Sequence, residues 1–288
     1  MDLVSTAERF PVPGETIMGS NFKNIPGGKG ANQAVAAAQL GAEVTMVGCV
    51  GDDPFGTFLI DNLKEKGVNT SYVEPVTGVP TGIAAITVAN LDNTIIVSPG
   101  ANQYITPEHV EKYEEAIKDC DLVLLQLEIP IESVQKAVDL AVKYSKKVVL
   151  NPAPAQSVGL ELLEKVDYLT PNEHELEMLL DTEEKKNYFD KNRDKFIITK
   201  GSEGVLYSNK KNETLIPSFD VNVIDTTGAG DTFNGGFSVT IAQGKSVAEA
   251  CKFGNAAGAI SVSKFGAQAG MPSREEVNNL LNKKRCLQ

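Results

Sequence analysis

Apolar residues along this chain follow two alternating rhythms. Short runs of consecutive apolar positions mark strands covered on both faces, and stretches with apolar residues every three or four positions mark helices packed on one side. Residues Lys29 to Leu40 form an Ala-rich helical stretch closed by Gly41, and Val44 to Val50 then reads as a buried strand. Asp53 and Pro54 supply a cap and a first-turn proline for a helix that Gly67 ends. Thr106-Pro107 opens another, followed by a strand from Leu122 to Leu127, an amphipathic helix from Ile131 to Tyr144 and a strand from Val148 to Leu150. A helix after Pro171 feeds a strand from Phe196 to Thr199, and Ser273-Arg-Glu-Glu276 is a capping box for the last helix. Strands alternating with helices predict an α/β fold with a mostly parallel, covered sheet.

Two segments break the alternation. Residues 3–26 and 80–98 read as short β runs with no helix between their strands, and residues 90–93 suit a turn between Ile83–Val88 and Thr94–Ser98. They predict a small antiparallel patch beside the α/β body. Residues 181–195 carry ten charged side chains in fifteen and read as a solvated surface stretch. With neither a tandem repeat nor a long linker, residues 1–288 are expected to form one domain.

Charge narrows the class. Twenty-seven basic against 38 acidic side chains give a net charge of −11, which argues against a general binder of nucleic acid or anionic membranes. No apolar run approaches the roughly 18 residues of a membrane span. The first residues, Met-Asp-Leu-Val-Ser-Thr, lack the basic and apolar regions of a signal peptide, so a cytoplasmic protein is expected. Cys49, Cys120, Cys251 and Cys286 form no C-x-x-C pair and read as four reduced thiols.

Four segments could carry chemistry. Gly27-Gly28-Lys29-Gly30-Ala31-Asn32-Gln33 is not a Walker A loop, because Gly-Lys is followed by Gly. Its glycines let a ligand approach the backbone, Lys29 adds a cation, and Asn32 can donate to and accept from a polyol hydroxyl; a simple tight turn explains the glycines equally well. Asp225-Thr226-Thr227-Gly228-Ala229-Gly230-Asp231-Thr232-Phe233-Asn234 is more specific. A strand end, Gly-Ala-Gly and an apolar helix make an anion site of backbone N–H groups. Asp231 at that point could be an ordinary first-turn acid. A carboxylate beside an anion cradle is also what phosphoryl transfer to a hydroxyl requires, one accepting the proton and the other stabilising phosphoryl charge. Asn172-Glu173-His174-Glu175 is most simply a capping box, though Asn172 and Glu175 are also hard oxygen ligands for Mg²⁺. Thr199-Lys200-Gly201-Ser202-Glu203-Gly204 has the small, backbone-exposing character of a nucleotide loop and is a weak signal. Histidine is too scarce for metal or triad chemistry, and both His109 and His174 read as surface residues.

Together these motifs resemble the ribokinase-like (PfkB) carbohydrate kinases. The Gly27–Gln33 and Asp225–Asn234 segments resemble the two family signatures. Gly48-Cys-Val-Gly-Asp-Asp53, Asn151-Pro-Ala-Pro154, Thr170-Pro-Asn-Glu173 and Gly266-Ala-Gln268 match in order and spacing. The likeness covers essentially the whole chain, and at Lys29-Gly30-Ala31 it is to the ribose-phosphorylating members. The resemblance implies a three-layer sandwich with a mostly parallel central sheet, and a small β lid, drawn from residues 3–26 and 80–98, that pairs across a homodimer. It implies transfer of the ATP γ-phosphoryl group to the 5-hydroxyl of D-ribose. Asp231 would be the base, with Gly228, Ala229 and Gly230 as the anion hole. Asp2, Gly28, Lys29, Asn32 and Glu128 would hold the sugar. Asn172, Thr199, Gly201 and Asn255 would contact ATP, with Asn172 and Glu175 in the Mg²⁺ region. A monovalent cation, K⁺ in most members, would be held by Asp225 and by carbonyls of Thr227, Ser261, Lys264 and Gly266.

The chain departs from the family pattern in three places. Gly270 stands where the family often has a hydroxyl, which removes one cation ligand. The segment between Leu180 and Phe196 is shorter than usual and reads as a tolerated surface deletion. The family's first buried strand, which ends in an Asn two residues before the sugar-binding Asp, is expected to be absent, because Met1 directly precedes Asp2. Such an absence would leave ladder groups unpaired. The alternatives are a kinase for another small sugar or nucleoside, such as deoxyribose or fructose, and an impaired sugar-binding protein.

Overall fold

The capping signals start helices where the sequence places them, because each satisfies first-turn N–H groups that nothing else reaches. Asp53 Oδ1 accepts from Gly56 N at 2.8 Å, Thr106 Oγ1 from His109 N at 3.3 Å, and Asn172 and Glu175 form both bonds of a capping box. The computed structural model describes residues 1–90, 92–209 and 212–285, so Cys286 lies outside the described residues.

In chain order the elements are β1 (Asp2–Thr6), β2 (Asn21–Ile25), α1 (Lys29–Gln39), β3 (Val44–Gly51), α2 (Pro54–Glu65), β4 (Val68–Val76), β5 (Ile83–Ala89), β6 (Asp92–Ser98), α3 (Pro107–Lys112) and α4 (Glu114–Asp119). There follow β7 (Leu122–Leu125), α5 (Ile131–Lys143), β8 (Lys147–Leu150), α6 (Leu160–Lys165), β9 (Tyr168–Leu169), α7 (Glu173–Leu179) and α8 (Glu183–Lys191). The chain ends with β10 (Ile197–Thr199), β11 (Gly204–Ser208), β12 (Glu213–Pro217), α9 (Ala229–Ala242), α10 (Val247–Ser261) and α11 (Arg274–Arg285).

Strands β7, β8 and β9 are parallel, and parallel bridges Leu169–Phe196 and Asn172–Thr199 carry the sheet on to β10, which continues antiparallel through β11 and β12. Helices cover both faces of this sheet, as the alternation along β8 shows. Val148 and Leu150 join the apolar cluster of α3, α5 and α6, whereas Val149 joins Phe233, Phe237 and Ile241 of α9. All three residues are fully buried, which is why the strand reads as a continuous apolar run. Strands β3 and β4 form a separate parallel pair, and a cavity of about 790 Å³ separates β3 from β7.

The second sheet has the order β2-β1-β5-β6. It is not wholly antiparallel as expected, because β1 and β5 are parallel. Between them the chain runs through β2, α1, β3, α2 and β4, a connection long enough for the crossover that parallel neighbours need.

Three local expectations need correction. The predicted strand from Leu122 to Leu127 leaves the ladder after Leu125, and Leu127 N turns to Ala153 O at 2.8 Å. Residues 181–195 are not merely a solvated stretch. They include α8, anchored by Tyr188, whose hydroxyl donates to Leu163 O, by Phe189 against Phe196, and by buried Lys185 between Ser157 and Asp181. His109 is not a surface residue: its side chain is 10 % exposed, with Cys49 Sγ 3.7 Å from Nε2 and Glu74 3.5 Å from Nδ1. His174 is exposed as expected.

Candidate active site

Two helix N-termini, those of α1 and α9, bring the expected residues to one place. Both begin after a glycine with positive φ, +93° at Gly28 and +77° at Gly228, a conformation that side chains disfavour. At Gly228 a Cβ would also lie 2.8 Å from that of Ala267. Gly27 is needed for a different reason, since a Cβ there would collide with the Asp2 carboxylate. The glycine-rich loop and β1 therefore close on each other and deliver Asp2 to the start of α1.

Asp231, in the first turn of α9, is buried. Asn32 Nδ2 donates to its Oδ2 at 2.9 Å and Gln33 Nε2 to its Oδ1 at 2.9 Å. Glu128, carried just beyond β7, accepts from Lys29 N at 2.7 Å. Gln268 Nε2 donates to Asn32 Oδ1 at 3.0 Å, which fixes the Asn32 amide with its nitrogen toward Asp231. Asp2, Gly28, Lys29, Asn32, Glu128 and Asp231 thus form one polar cluster built from β1, α1, the end of β7 and α9.

Burial raises the pKa of Asp231 above the ordinary aspartate range, against the pull of Lys29 and of the Gln33 and Asn32 amides. It also raises Glu128, where the Lys29 N–H and charge oppose the shift and Asp231 and Asp2 add to it. Asp2 moves up for the same first reason, with the Met1 ammonium opposing.

No side chain caps α9. Ala229 N is held by Thr226 O at 3.2 Å, and a Cβ on Gly230 would meet nothing within 4 Å, so open space adjoins this turn beside Asp231. On the neighbouring strand ends, the Asn172–Thr199 bridge brings those two residues together, and Gly201 follows with φ +55°. Glu175 is occupied in the capping box through Oε2, yet it feels the charges of Lys29 and Asp231, which places it beside the same site; burial raises its pKa. Asn255 lies on α10 and donates to Ile216 O at 2.9 Å, tying α10 to β12.

The residues expected to hold a monovalent cation also meet. Asp225 accepts from Thr227 N and Gly266 N, both at 2.9 Å, and so knits the two loops together. A Cβ on Gly270 would collide with Ser261 O and lie 3.3 Å from Gly266 O, so two of the expected carbonyls face one point. The Lys264 side chain points elsewhere, pairing with Glu276 at 3.4 Å.

Gln33 and Asn151 lie in segments that carry the family resemblance but have no role assigned from the sequence, and nothing in the sequence points to Gln126. Gln33 is fully buried, donates to both Asp231 and Asn151, and accepts from Gln126 at 2.5 Å. Its only sequence-level mark is its place in the Gly27–Gln33 segment, because its partners lie 93, 118 and 198 positions away.

A buried carboxylate thus stands at an open helix N-terminus among the polar side chains of Asp2, Lys29, Asn32 and Glu128. The chain belongs to the pfkB family of carbohydrate kinases, whose model matches residues 1–274, and is a phosphotransferase. It is 49 % identical to the ribokinase of Bacillus subtilis (strain 168) over 98 % of this chain and 96 % of that protein. It is 40 % identical to the deoxyribokinase of Salmonella typhi, with the same coverage. Among solved structures, Arabidopsis thaliana ribokinase complexed with ribose and ATP superposes with a TM-score of 0.89 at 33 % identity, over 97 % of this chain and 95 % of that one.

Proposed function

We propose that this kinase transfers the γ-phosphoryl group of ATP to the 5-hydroxyl of D-ribose. The observation that carries the reading is the buried Asp231 carboxylate, aimed by Asn32 and Gln33 and placed at the open first turn of α9 within the Asp2, Lys29 and Glu128 cluster. Asp2, Glu128, Asn32, Lys29 and the Gly28 backbone orient the sugar by its hydroxyls. Asp231 accepts the proton of the attacking hydroxyl, and the N–H groups of the Gly228–Gly230 turn stabilise charge on the transferred phosphoryl group. Holding both reactants in line supplies much of the acceleration.

Asn172, Thr199, Gly201 and Asn255 serve the nucleotide in this reading. Among the described residues no group of three His, Cys, Asp or Glu side chains could hold a metal ion. Asn172 and Glu175 offer hard oxygens, which suits Mg²⁺ carried mainly by phosphates and water, where it would neutralise phosphate charge. Ser261, Gly266, Thr227, Lys264 and Asp225 would hold K⁺ and so stiffen the loop that leads into Gly228.

Initial rates of ADP release across D-ribose, deoxyribose, fructose and nucleosides test the assignment. The highest kcat/KM is expected on D-ribose. The 40 % identity to a deoxyribokinase makes deoxyribose the second reading, and a preference for it would displace the first. Ligand-induced stabilisation with no ADP release on any sugar would indicate a binding protein instead.

Gln33 is read here as a positioning residue for Asp231. Gln33→Met keeps the volume but removes a hydrogen bond to a carboxylate, which is expected to lower kcat about 10- to 100-fold. It should also move the acid limb of the pH profile upward, since one of the opposing influences on the Asp231 pKa is gone. A fall in kcat with an unmoved acid limb would assign Gln33 a merely structural role.

The small sheet is proposed to pair across a homodimer in the cytoplasm. All of β6 is exposed, including Ile95, Ile96 and Val97 at 53, 71 and 61 %, an apolar edge that water alone serves poorly. Among the described residues no helix is long and apolar enough to cross a membrane. Ile96→Glu is expected to convert a dimer to a monomer in sedimentation velocity, and an unchanged dimer would place the interface elsewhere.

A further inference from the structure

Two rows of side-chain amides hold Asp231, one for each carboxylate oxygen. The row to Oδ1 is short: Gln126 Nε2 donates to Gln33 Oε1, and Gln33 Nε2 donates on to Asp231. The row to Oδ2 is longer. Asn62 Nδ2, on α2, donates to Gln268 Oε1 at 2.7 Å, and Gln268 Nε2 donates to Asn32 Oδ1 at 3.0 Å. Asn32 Nδ2 then donates to Asp231 Oδ2 at 2.9 Å. Asn32 and Gln268 each give through nitrogen and receive through oxygen, so the row has a direction, and it points at the carboxylate. Gln268, Asn32 and Asp231 are buried, where bulk water cannot replace a missing partner.

The direction matters because a primary amide has two orientations of nearly the same shape and opposite polarity. With nitrogen toward Asp231, Asn32 favours the ionised carboxylate and leaves the remaining lone pairs for the attacking hydroxyl. With oxygen toward Asp231, it would set two acceptors against each other and favour the protonated acid, which cannot act as a base. Gln268 selects the first orientation, because it presents a donor that only the Asn32 oxygen can accept. Its place in the loop between α10 and α11 ties this selection to the anion-binding turn. Gly266 N donates to Asp225 Oδ2 at 2.9 Å, and a Cβ on Gly228 would lie 2.8 Å from that of Ala267. Three consecutive residues, 266–268, therefore brace both the start of α9 and the aim of the carboxylate.

We propose that Gln268, oriented by Asn62, is a positioning residue for phosphoryl transfer: it holds the Asn32 amide nitrogen toward Asp231 and so keeps the base aimed. This rests on the reading of Asp231 as the base. The charged groups that face Asp231 are Lys29 on α1, Asp2 on β1, Glu128 beyond β7 and Glu175 on α7. None of them belongs to the row, so substitutions at 268 leave them in place.

Two substitutions separate this role from ordinary packing. Gln268→Met keeps the volume and donates nothing, so kcat is expected to fall about 10-fold at every pH, with KM for the sugar changed less than about threefold. Gln268→Glu has the same shape and two protonation states. Protonated, it donates to Asn32 as glutamine does; ionised, it only accepts and turns the Asn32 amide over. Its kcat is expected to approach the unmodified value just above the acid limb and to fall at least about 10-fold as pH rises. Neither the unmodified enzyme nor Gln268→Met should show that falling limb. A glutamate acting by charge alone would only move the acid limb upward, and activity would recover at higher pH. Tm and circular dichroism at both ends of the pH range check that the variants are folded. Asn62 is partly exposed, so Asn62→Leu leaves the buried positions intact. It is expected to lower kcat several-fold and raise the acid limb, and to add nothing to Gln268→Met. Unchanged kcat in Gln268→Met, a missing falling limb in Gln268→Glu, or an Asn62→Leu effect that is nil or fully additive overturns the proposal. Undiminished turnover in Asp231→Asn would instead remove the base reading on which it rests.

Discussion

Asp231→Asn is expected to lower kcat for phosphoryl transfer by about 10²–10⁴-fold, the range that a positioned general base contributes, while KM for the sugar changes by no more than a few-fold. Asparagine nearly matches the shape of aspartate, so the packing of α9 against α1 survives, but an amide cannot take the hydroxyl proton. The pH profile adds a second signature. A base must be ionised to act, and burial raises the Asp231 pKa above its usual 3.8. The acid limb of kcat/KM in the unmodified enzyme is therefore expected above the ordinary aspartate range, with activity lost as pH falls through the raised value. The residual rate of the variant should lack that limb. The same shift bears on stability. A carboxylate whose pKa is higher folded than unfolded destabilises the fold when ionised, and this contribution is present above the folded pKa and gone below the unfolded one. Asp2 and Glu128 share the sign, so acidification from neutrality relieves the cost of burying these carboxylate charges even as it ends catalysis. Undiminished turnover in Asp231→Asn would refute the base assignment.

Gly235→Val is expected to cost about 1–3 kcal/mol of stability and most of the activity, although residue 235 touches no substrate in the proposed reading. A Cβ on Gly235 would lie 2.6 Å from the Ala36 Cβ and 3.0 Å from Ala37 N, so α9 and α1 approach closely at this point. One helix carries Asp231 and the other Asn32 and Gln33. Wedging the helices apart lengthens the two 2.9 Å bonds that aim the carboxylate. Thermal unfolding should show the loss of stability, and Gly235→Ala should fall between the two. A Gly235→Val protein with normal Tm and normal kcat would mean that the helices can separate without disturbing the base.

Much of the fold was legible because its causes are local. Caps at Asp53, Thr106 and Asn172 act within three residues, and Gly41 and Gly67 end helices by adopting positive φ. The chemistry of the Gly27–Gln33 and Asp225–Asn234 segments was legible for a related reason: a glycine needed for a backbone approach and an acid at a helix start are written in consecutive residues. The local pattern misleads where distant partners decide. Lys185, Tyr188 and Phe189 looked like parts of a solvated charged stretch until Ser157, Leu163 and Phe196 supplied their contacts. His109 looked exposed until β3 and β4 brought Cys49 and Glu74 against it. Beyond its place in the Gly27–Gln33 segment, nothing local marks the role of Gln33, because the side chains it bonds come from far along the chain.

The parallel pairing of β1 with β5 belongs to the same class, as does the cavity between β3 and β7. Periodicity reports which face of a strand is covered, but a strand's neighbours are chosen by the whole chain's path. Residue order was thus enough to set the element types, their ends and the presence of an acid beside an anion-binding turn, since these depend on dihedral preferences and hydrogen bonds a few residues apart. Only folding in three dimensions aimed Asp231 through Asn32 and Gln33, raised its pKa by burial and left two strand edges unpaired, because burial and long-range hydrogen bonding are properties of the assembled chain.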